Sequence, residues 1–488
     1  MKTKPMSHQV AGCRRLAAAD RFAVGAEQGT GKTWMLLADA ETRWKRNEID
    51  AMLVIAPNGV HVNWVVREIP AHLEVPYTAT FWLSTPSKKH QALLQRQLAT
   101  ALEPPRKLVI HAMNIDAVNT KAGLAHAEKF IATFAPGRVI MVVDESHTIK
   151  NIDAKRTQRV IALGKQVAIR RIASGTLVAN SPLDLFSQYE FLANGLLGTR
   201  SYRAFVSEYA ELMPASSALV QSVVQRTGAR GVPQIVAKNK DGTLRFRNLA
   251  KLSGLMAPHT FRVTKDECLD LPEKIYQTYY FDLEPQQRAM YDQVKSERNW
   301  VRDDGSIDTF TALTVITKLR QITSGFILVD GAPTTLAYSK PRIEALLSIV
   351  EEYPGPMIVW ASFQEEIKQI AKALRGAGET VREYYGATNV ADRTTAINDF
   401  QSGKARIFLG NPAAAGLGLT LTAAETAVYY SSSFSLSERL QSEDRCHRIG
   451  TTHHVVYIDI VGRDTIDERI AHALQTKKLT AEMIMNNL

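Results

Sequence analysis

Residues Ala26-Glu27-Gln28-Gly29-Thr30-Gly31-Lys32-Thr33 lie between a short apolar stretch, Phe22-Ala23-Val24, and a helix-like amphipathic segment from Gly31 to Arg46. The pattern is G-x-x-x-x-G-K-[ST] with Ala26 in the first position. A loop of this composition frees backbone N–H groups to wrap phosphate oxygens at a helix N-terminus; a lysine then reaches the β and γ oxygens, and a hydroxyl meets Mg²⁺. Lys32 and Thr33 supply those two groups, and Gly29, Thr30 and Gly31 the wrapping backbone. The plainer meaning is a turn before an ordinary helix, and the flanking strand and helix argue against it. Strand, loop and helix in that order open a parallel α/β sheet.

The rest of the chain extends this frame. At 488 residues it is long enough for two or more domains. Ala51 to Pro57 and Arg138 to Asp144 are continuous apolar runs, as expected of strands buried on both faces. After about Asn180 such runs stop: Phe186 to Leu197 and Ser201 to Met213 read as helical, and Thr227 to Arg247 as a polar, basic loop or hairpin. Strand-like runs return at Met357–Trp360, Ala405–Gly410, Thr426–Tyr430 and Val455–Val461, between helical segments such as Gln364–Arg375 and Arg393–Phe400. The expected division is a first lobe over 1–190, helical insertions and a linker over 191–340 with 248–275 returning to the first lobe, and a second lobe over 341–488.

At the end of the apolar run that closes on Val143 stand Asp144-Glu145-Ser146-His147. A carboxylate at the carboxyl end of a central parallel strand faces the same crevice as the phosphate loop. There Asp144 can hold Mg²⁺ while Glu145 orients and deprotonates an attacking water. An Asp-Glu pair alone is weak evidence; together with Lys32 and Thr33 it favours hydrolysis over simple nucleotide binding.

Composition narrows the setting. The net charge of +10 favours an acidic partner such as nucleic acid, which gains affinity as lysine and arginine displace its counterions. Cys13, Cys268 and Cys446 are far apart, so neither a disulfide framework nor a cysteine zinc site is suggested. No run of about 18 apolar residues and no signal-like start is present, so a soluble, cytoplasmic protein is expected, without membrane contact.

With these motifs in place, nearly the whole chain resembles the Swi/Snf family of DNA translocases within helicase superfamily two. Ser7-His8-Gln9 is similar to the family's opening element, which implies a place for Gln9 near the adenine. Leu53-Val54-Ile55-Ala56-Pro57 with Asn63-Trp64 and Glu68 resembles the family's strand and Trp-x-x-E segment beside the track, with three residues rather than two between Trp64 and Glu68. Asp144 through Asn151 resembles the extended acidic motif with its Lys-Asn, Ser146 standing where the family usually has Ala. Ser174-Gly175-Thr176 with Asn180 and Leu185-Phe186 resembles the motif that joins the ATP site to the strand-binding face, and Phe261–Lys265 with Leu271–Lys274 the passage between lobes. Gly410–Ala424 is similar to the Gly-rich fifth motif, with Asn411-Pro412-Ala413 in place of Ser-Thr-Arg. Gln441-Ser442-Glu443-Asp444-Arg445-Cys446-His447-Arg448-Ile449-Gly450 resembles the final motif, its spacing read on one helix.

The resemblance implies an α/β fold of two RecA-like parallel-sheet lobes with helical insertions, and ATP and Mg²⁺ as cofactors. It assigns Lys32, Glu145, Arg445 and Arg448 to catalysis, the last two as arginine fingers. Gln9, Gly29, Thr30, Gly31, Lys32, Thr33, Asp144, Gly418 and Gln441 are assigned to the nucleotide, and Thr33 and Asp144 to the metal. The implied activity is a DNA-dependent ATPase, monomeric, that tracks along duplex DNA in replication, recombination or repair. A strand-separating or annealing helicase on DNA, less readily on RNA, and a non-catalytic ATP-gated clamp remain alternatives. The motifs run from Ser7 to about Ile470, so appended targeting modules are not expected, and the resemblance to a minimal motor implies the cytoplasm of a bacterium or a phage-infected cell.

Overall fold

The computed structural model describes residues 1–227, 232–239, 242–296, 309–329, 332–336, 340–414 and 419–485. The chain forms two compact units: Met1–Ala210 with Phe246–Asp270 and Leu479–Leu488, and Glu211–Arg245 with Leu271–Lys478.

The first unit is built on seven strands, β1 Arg21–Ala26, β2 Ala51–Ala56, β3 Tyr77–Phe81, β4 Leu108–Asn114, β5 Val139–Asp144, β6 Ile169–Ala173 and β7 Thr260–Val263. Their spatial order is β3-β4-β2-β5-β6-β1-β7, and every pairing is parallel. Parallel neighbours need long crossovers, and the chain supplies helices such as Lys32–Lys45 and Lys155–Gly164. All residues of β2 and β5 are buried, which is why both are apolar runs rather than alternating ones.

β6 is different, because Ile-Arg-Arg-Ile-Ala carries two arginines. Arg171 is fully buried: its Nε donates to Asp39 Oδ2 at 2.9 Å and its Nη2 to the carbonyls of Leu16 and Ala19. Arg43 donates to the other oxygen of Asp39 at 3.0 Å, so one buried carboxylate serves two guanidinium groups. Another non-local contact closes this unit: Ile484 is fully buried in its core, and Ser253 Oγ donates to the Ile484 carbonyl at 2.7 Å. Met485 packs so near β1 that a Cβ on Gly25 would lie 3.1 Å from its Cε.

The second unit contains β8 Lys274–Phe281, the antiparallel hairpin β9 Phe326–Val329 and β10 Ala332–Thr335, and β11 Met357–Trp360, β12 Val381–Tyr384, β13 Ile407–Gly410, β14 Thr426–Tyr429 and β15 Val455–Gly462. Its main sheet runs β12-β13-β11-β14-β15-β8, again with every pairing parallel. The strand runs expected in the last third of the sequence fall on β11, β13, β14 and β15. β8 is a strand that sequence did not mark: it pairs with β15 from Lys274↔Val455 to Phe281↔Gly462 while most of its side chains stay exposed. The chain thus has the expected class of fold, two RecA-like parallel-sheet lobes.

Between helices Tyr202–Tyr209 and Leu249–Met256 the polar stretch makes isolated antiparallel bridges, Leu212↔Val236 and Lys238↔Leu244 among them. Gly228, Gly231, Lys240 and Asp241 of that stretch lie outside the described residues. No helix among the described residues is long and apolar enough to cross a membrane.

Candidate nucleotide site

Sheet register brings the phosphate loop and the acidic pair together. Asp144 is level with Ala173, and Ala173 with Val24, so β5, β6 and β1 end at the same edge of the first sheet. In a parallel sheet that edge is where ligands bind, outside the carboxyl ends of the strands.

The loop after β1 is held in shape by its own backbone. Gly29 and Gly31 have φ of 83° and 85°, and Gly31 is the N-cap of helix Lys32–Lys45. A Cβ on Gly31 would stand 2.0 Å from Gln9 Nε2, so both torsion and space exclude a side chain there. Thr30 Oγ1 donates to the Glu27 carbonyl at 2.8 Å and Lys32 Nζ to the same oxygen at 3.2 Å. Gln9 Nε2 donates to the Thr30 carbonyl at 3.3 Å, and His8 Nε2 reaches that carbonyl at 2.8 Å. With its carbonyl taken by His8 and Gln9, Thr30 leads through Gly31 into the N-terminus of helix Lys32–Lys45, the kind of position at which backbone N–H groups meet a phosphate. Thr33 is half-buried in the first helical turn.

Asp144 is buried, and each of its oxygens takes one N–H: Trp64 Nε1 donates to Oδ2 at 2.9 Å and the Glu145 amide to Oδ1 at 3.0 Å. Burial, and after it the charge of Glu145, pushes the Asp144 carboxyl up to about 6, against the pull of Trp64, Lys32 and the Glu145 amide. A buried carboxylate next to a half-buried one, with the Lys32 charge close enough to act on Asp144, fits a divalent cation. Among the described residues no group of three or more acidic, histidine or cysteine side chains could hold a metal by itself. Thr33 and Asp144 could supply the one or two protein groups by which Mg²⁺, together with substrate phosphates, is usually held.

Glu145 has left-handed backbone, φ 48° and ψ 56°, a conformation costly for a non-glycine residue and common at functional sites. It aims the carboxylate at a hydroxyl and a ring: Ser174 Oγ donates to Glu145 Oε2 at 3.4 Å, and His147 Nδ1 lies 3.3 Å from that oxygen and 3.1 Å from Ser174 Oγ. Ser174 N donates to the Val24 carbonyl, and Gly175 lies against Gln28, so Ser174-Gly175-Thr176 touches β1, the phosphate loop and the acidic pair. Ser146 Oγ donates to Gln188 Oε1 at 2.7 Å, and Gln188 Nε2 to the carbonyls of Leu177 and Asp184.

In the second unit, helix Leu436–Glu443 stops before the arginines, so Gln441 is on the helix while Arg445 and Arg448 follow it in turns. The reading on a single helix is corrected by tertiary bonds that capture the turn. Leu421 N donates to the Arg445 carbonyl, Thr451 Oγ1 to the Cys446 carbonyl, and His447 Nε2 binds the Pro272 carbonyl at 2.7 Å. Arg445 is buried, Arg448 Nη1 donates to Leu419 O and Thr420 Oγ1, and Gln441 Nε2 donates to Ser437 Oγ. Gly418, with Ala415 to Leu417, lies outside the described residues.

The first lobe therefore brings Gln9, Gly29, Thr30, Gly31, Lys32, Thr33, Asp144 and Glu145 to the same end of its sheet, and the second lobe carries Gln441, Arg445 and Arg448 on one anchored segment. Sequence reasoning missed the contribution of His8 and the bond from Trp64 to Asp144. His8 has a signal in its place beside Gln9; the Trp64 bond, across 80 residues, has none in sequence.

Residues 23–325 match the SNF2-related domain and residues 341–450 the helicase conserved C-terminal domain. The chain is 25% identical over 480 residues to a chromodomain-helicase-DNA-binding protein 1-like of Danio rerio, covering 94% of this chain and 42% of that protein. It is 25% identical over 397 residues to the putative ATP-dependent helicase/translocase YwqA of Bacillus subtilis, covering 77% and 39%. Among solved structures, the SWI2/SNF2 ATPase core of Sulfolobus solfataricus in complex with dsDNA aligns over 100% of this chain and 94% of that one, with 22% identity and a TM-score of 0.42. The chain spans less than half the length of these two curated relatives. With the glycine-rich loop, the acidic pair and the Ser174-Gly175-Thr176 bridge at one end of the first sheet, and with most of its length matched, this chain belongs to the SNF2-related family, its second lobe being a helicase conserved C-terminal domain.

Proposed function

We propose that the chain is a DNA-dependent ATPase that translocates along duplex DNA and remodels DNA or DNA-protein structures. The observation that carries this reading is the convergence of Lys32, Thr33, Asp144 and Glu145 at one sheet edge, with Ser174 and His147 bonded to Glu145. Mg²⁺, when bound, neutralises charge between the β- and γ-phosphates. In this reading the loop amides and Lys32 hold the phosphates, Thr33 and Asp144 would hold the metal, and Glu145 orients the attacking water and takes its proton. Arg445 and Arg448 are assigned the charge on the leaving phosphates, where a guanidinium acts in the transition state. Ser174 and His147, bonded to the base, are assigned the coupling of hydrolysis to the track. The net charge of +10 and relatives named as helicases or DNA-binding proteins support a nucleic-acid track.

Steady-state ATP hydrolysis without nucleic acid and with single-stranded DNA, duplex DNA or RNA tests this, with E145Q as the blank. Stimulation by duplex DNA, lowered at least about 100-fold in E145Q, is the expected result. Stimulation only by single strands or RNA would replace the translocase reading with a strand-separating helicase, and absence of turnover would leave an ATP-gated clamp.

A further inference from the structure

Trp64 is 1% exposed, yet it does not merely fill space: its only polar atom is spent on Asp144. An indole N–H can only donate. Here it donates at 2.9 Å to one carboxylate oxygen while the Glu145 amide takes the other, so the carboxylate plane is fixed from two sides. Any buried carbonyl would have satisfied a purely structural tryptophan. Instead the acceptor is the carboxylate on which the metal reading rests.

The backbone that carries Trp64 is unusual. After Gly59, with φ of 80°, a short helix Val60–Asn63 passes into a π-helical turn, Trp64–Glu68, and then into helix Ile69–His72. π-turns are rare and concentrate at functional sites. Within this turn Trp64 is buried at the acidic pair, while Val66 is 58% exposed and Arg67 lies on the surface. The segment follows β2, whose Ile55 pairs with Val143, the residue before Asp144. A single turn thus has one end on the carboxylate and the other on the outside of the lobe.

We propose that Trp64 is a positioning residue: its indole N–H orients the Asp144 carboxylate for the metal-nucleotide complex and ties that carboxylate to the surface segment Val60–His72. The proposal rests on the ATPase reading above and deepens it. A displacement of the outer face of the π-turn, as by a polyanion lying along it, is passed to the metal ligand through one hydrogen bond. Outer-shell donors to metal ligands commonly matter about 10- to 100-fold in metal affinity or activity.

Two replacements separate positioning from packing. W64F removes the N–H and part of the ring; exchanging the indole at position 64 for benzothiophene keeps the shape and removes the donor alone. For each, Mg²⁺ binding is titrated by calorimetry with a non-hydrolysable ATP analogue, alongside thermal unfolding and the stimulation of ATP turnover by duplex DNA. The expected result is Mg²⁺ binding weakened about ten-fold or more in a folded protein, with a smaller DNA stimulation. Mg²⁺ affinity within about two-fold of the unchanged protein in a folded variant, far below that range, or loss of fold in both variants, would overturn the proposal and leave Trp64 a packing residue. Absence of DNA stimulation in the unchanged protein would remove the translocase reading, while the Mg²⁺ titration would still decide the role of Trp64.

Discussion

Lys274 on β8 stands 3.1 Å from Glu443, the last residue of the helix that carries Gln441. Glu443 Oε2 also accepts from Tyr276 at 2.8 Å, and Oε1 from Arg439 at 2.8 Å. Burial pushes the Glu443 carboxyl up, but Lys274 and Arg439 outweigh it and hold the group at about 2. This cluster anchors the helix end from which the Arg445 and Arg448 turns depart.

Removing that charge should be costly. E443Q leaves two cations around a buried amide, and breaking a buried ion pair from one side typically costs about 3–5 kcal/mol. Because the carboxyl is lowered in the folded state, its contribution is present above about pH 4.5 and is lost as pH falls toward 2. Chemical unfolding of the second-lobe transition should therefore show a large gap between variant and unchanged protein at pH 7 that narrows at pH 3. A constant gap would mean that the cluster does not titrate as a unit.

Asp144 has the opposite sign. Its carboxyl is raised to about 6, so between roughly pH 4 and 6 the native state binds the extra proton and metal-free stability falls as pH rises, levelling off above. D144N removes the cost of the ionised group. The metal-free variant should unfold at a higher temperature than the unchanged protein at pH 8, on the order of 1–3 kcal/mol, with the gap closing below pH 5. Adding Mg²⁺ and nucleotide should reverse the order and show no hydrolysis by the variant.

A histidine cluster should make the first lobe acid-sensitive. His111 on β4 is fully buried, bonded through Nδ1 to Thr80, with its ring 4.7 Å from His126 and 5.6 Å from Phe130. His126 packs on Trp82, His61 bonds to the Trp82 carbonyl, His90 bonds to the Phe81 carbonyl, and Lys129 adds a further positive charge. Burial holds His111, His126 and His61 below the usual imidazole range, so their contribution is full above about pH 6.5 and is lost as pH falls. Thermal unfolding from pH 7.5 to 5 should show the first lobe weakening, and H126Q should make the decline shallower.

Ser146 stands where the family usually has alanine, but S146A is not neutral here. It would leave Gln188 Oε1 without its donor at a fully buried site, at a cost of about 1–3 kcal/mol. A double-mutant cycle with Q188L measures the pair directly. A coupling below about 0.5 kcal/mol would show the two sites to be independent.

The chemistry-bearing parts of the fold were legible because their constraints are local. Gly31 must adopt positive φ, Lys32 must follow it, and Asp144 must end an apolar run, all within windows a few residues wide. β6 was not legible: Arg170 and Arg171 hide a strand whose burial depends on Asp39, far away in sequence. β8 was not legible because its register comes from backbone pairing with β15 while Ile275, Tyr276 and Tyr280 stay partly exposed, a pattern unlike the buried runs of the other strands. The stop of helix Leu436–Glu443 before Arg445 was set by contacts from Leu421 and Pro272, which no helical period reveals. Trp64 was visible as a motif residue; that its N–H serves Asp144 was a property of the sheet, since β2 and β5 are neighbours in space only.

The burial of Ile484 in the core that begins at β1 sets the timetable of synthesis. Translation delivers the phosphate loop first and β7 more than two hundred residues later, but the residues that close the core behind Gly25 arrive only after the second lobe has been made. A ribosome-bound chain therefore exposes part of the first lobe's apolar interior for most of its elongation, at roughly 5–20 residues per second. The nucleotide lobe begins to emerge before the second lobe and is sealed after it.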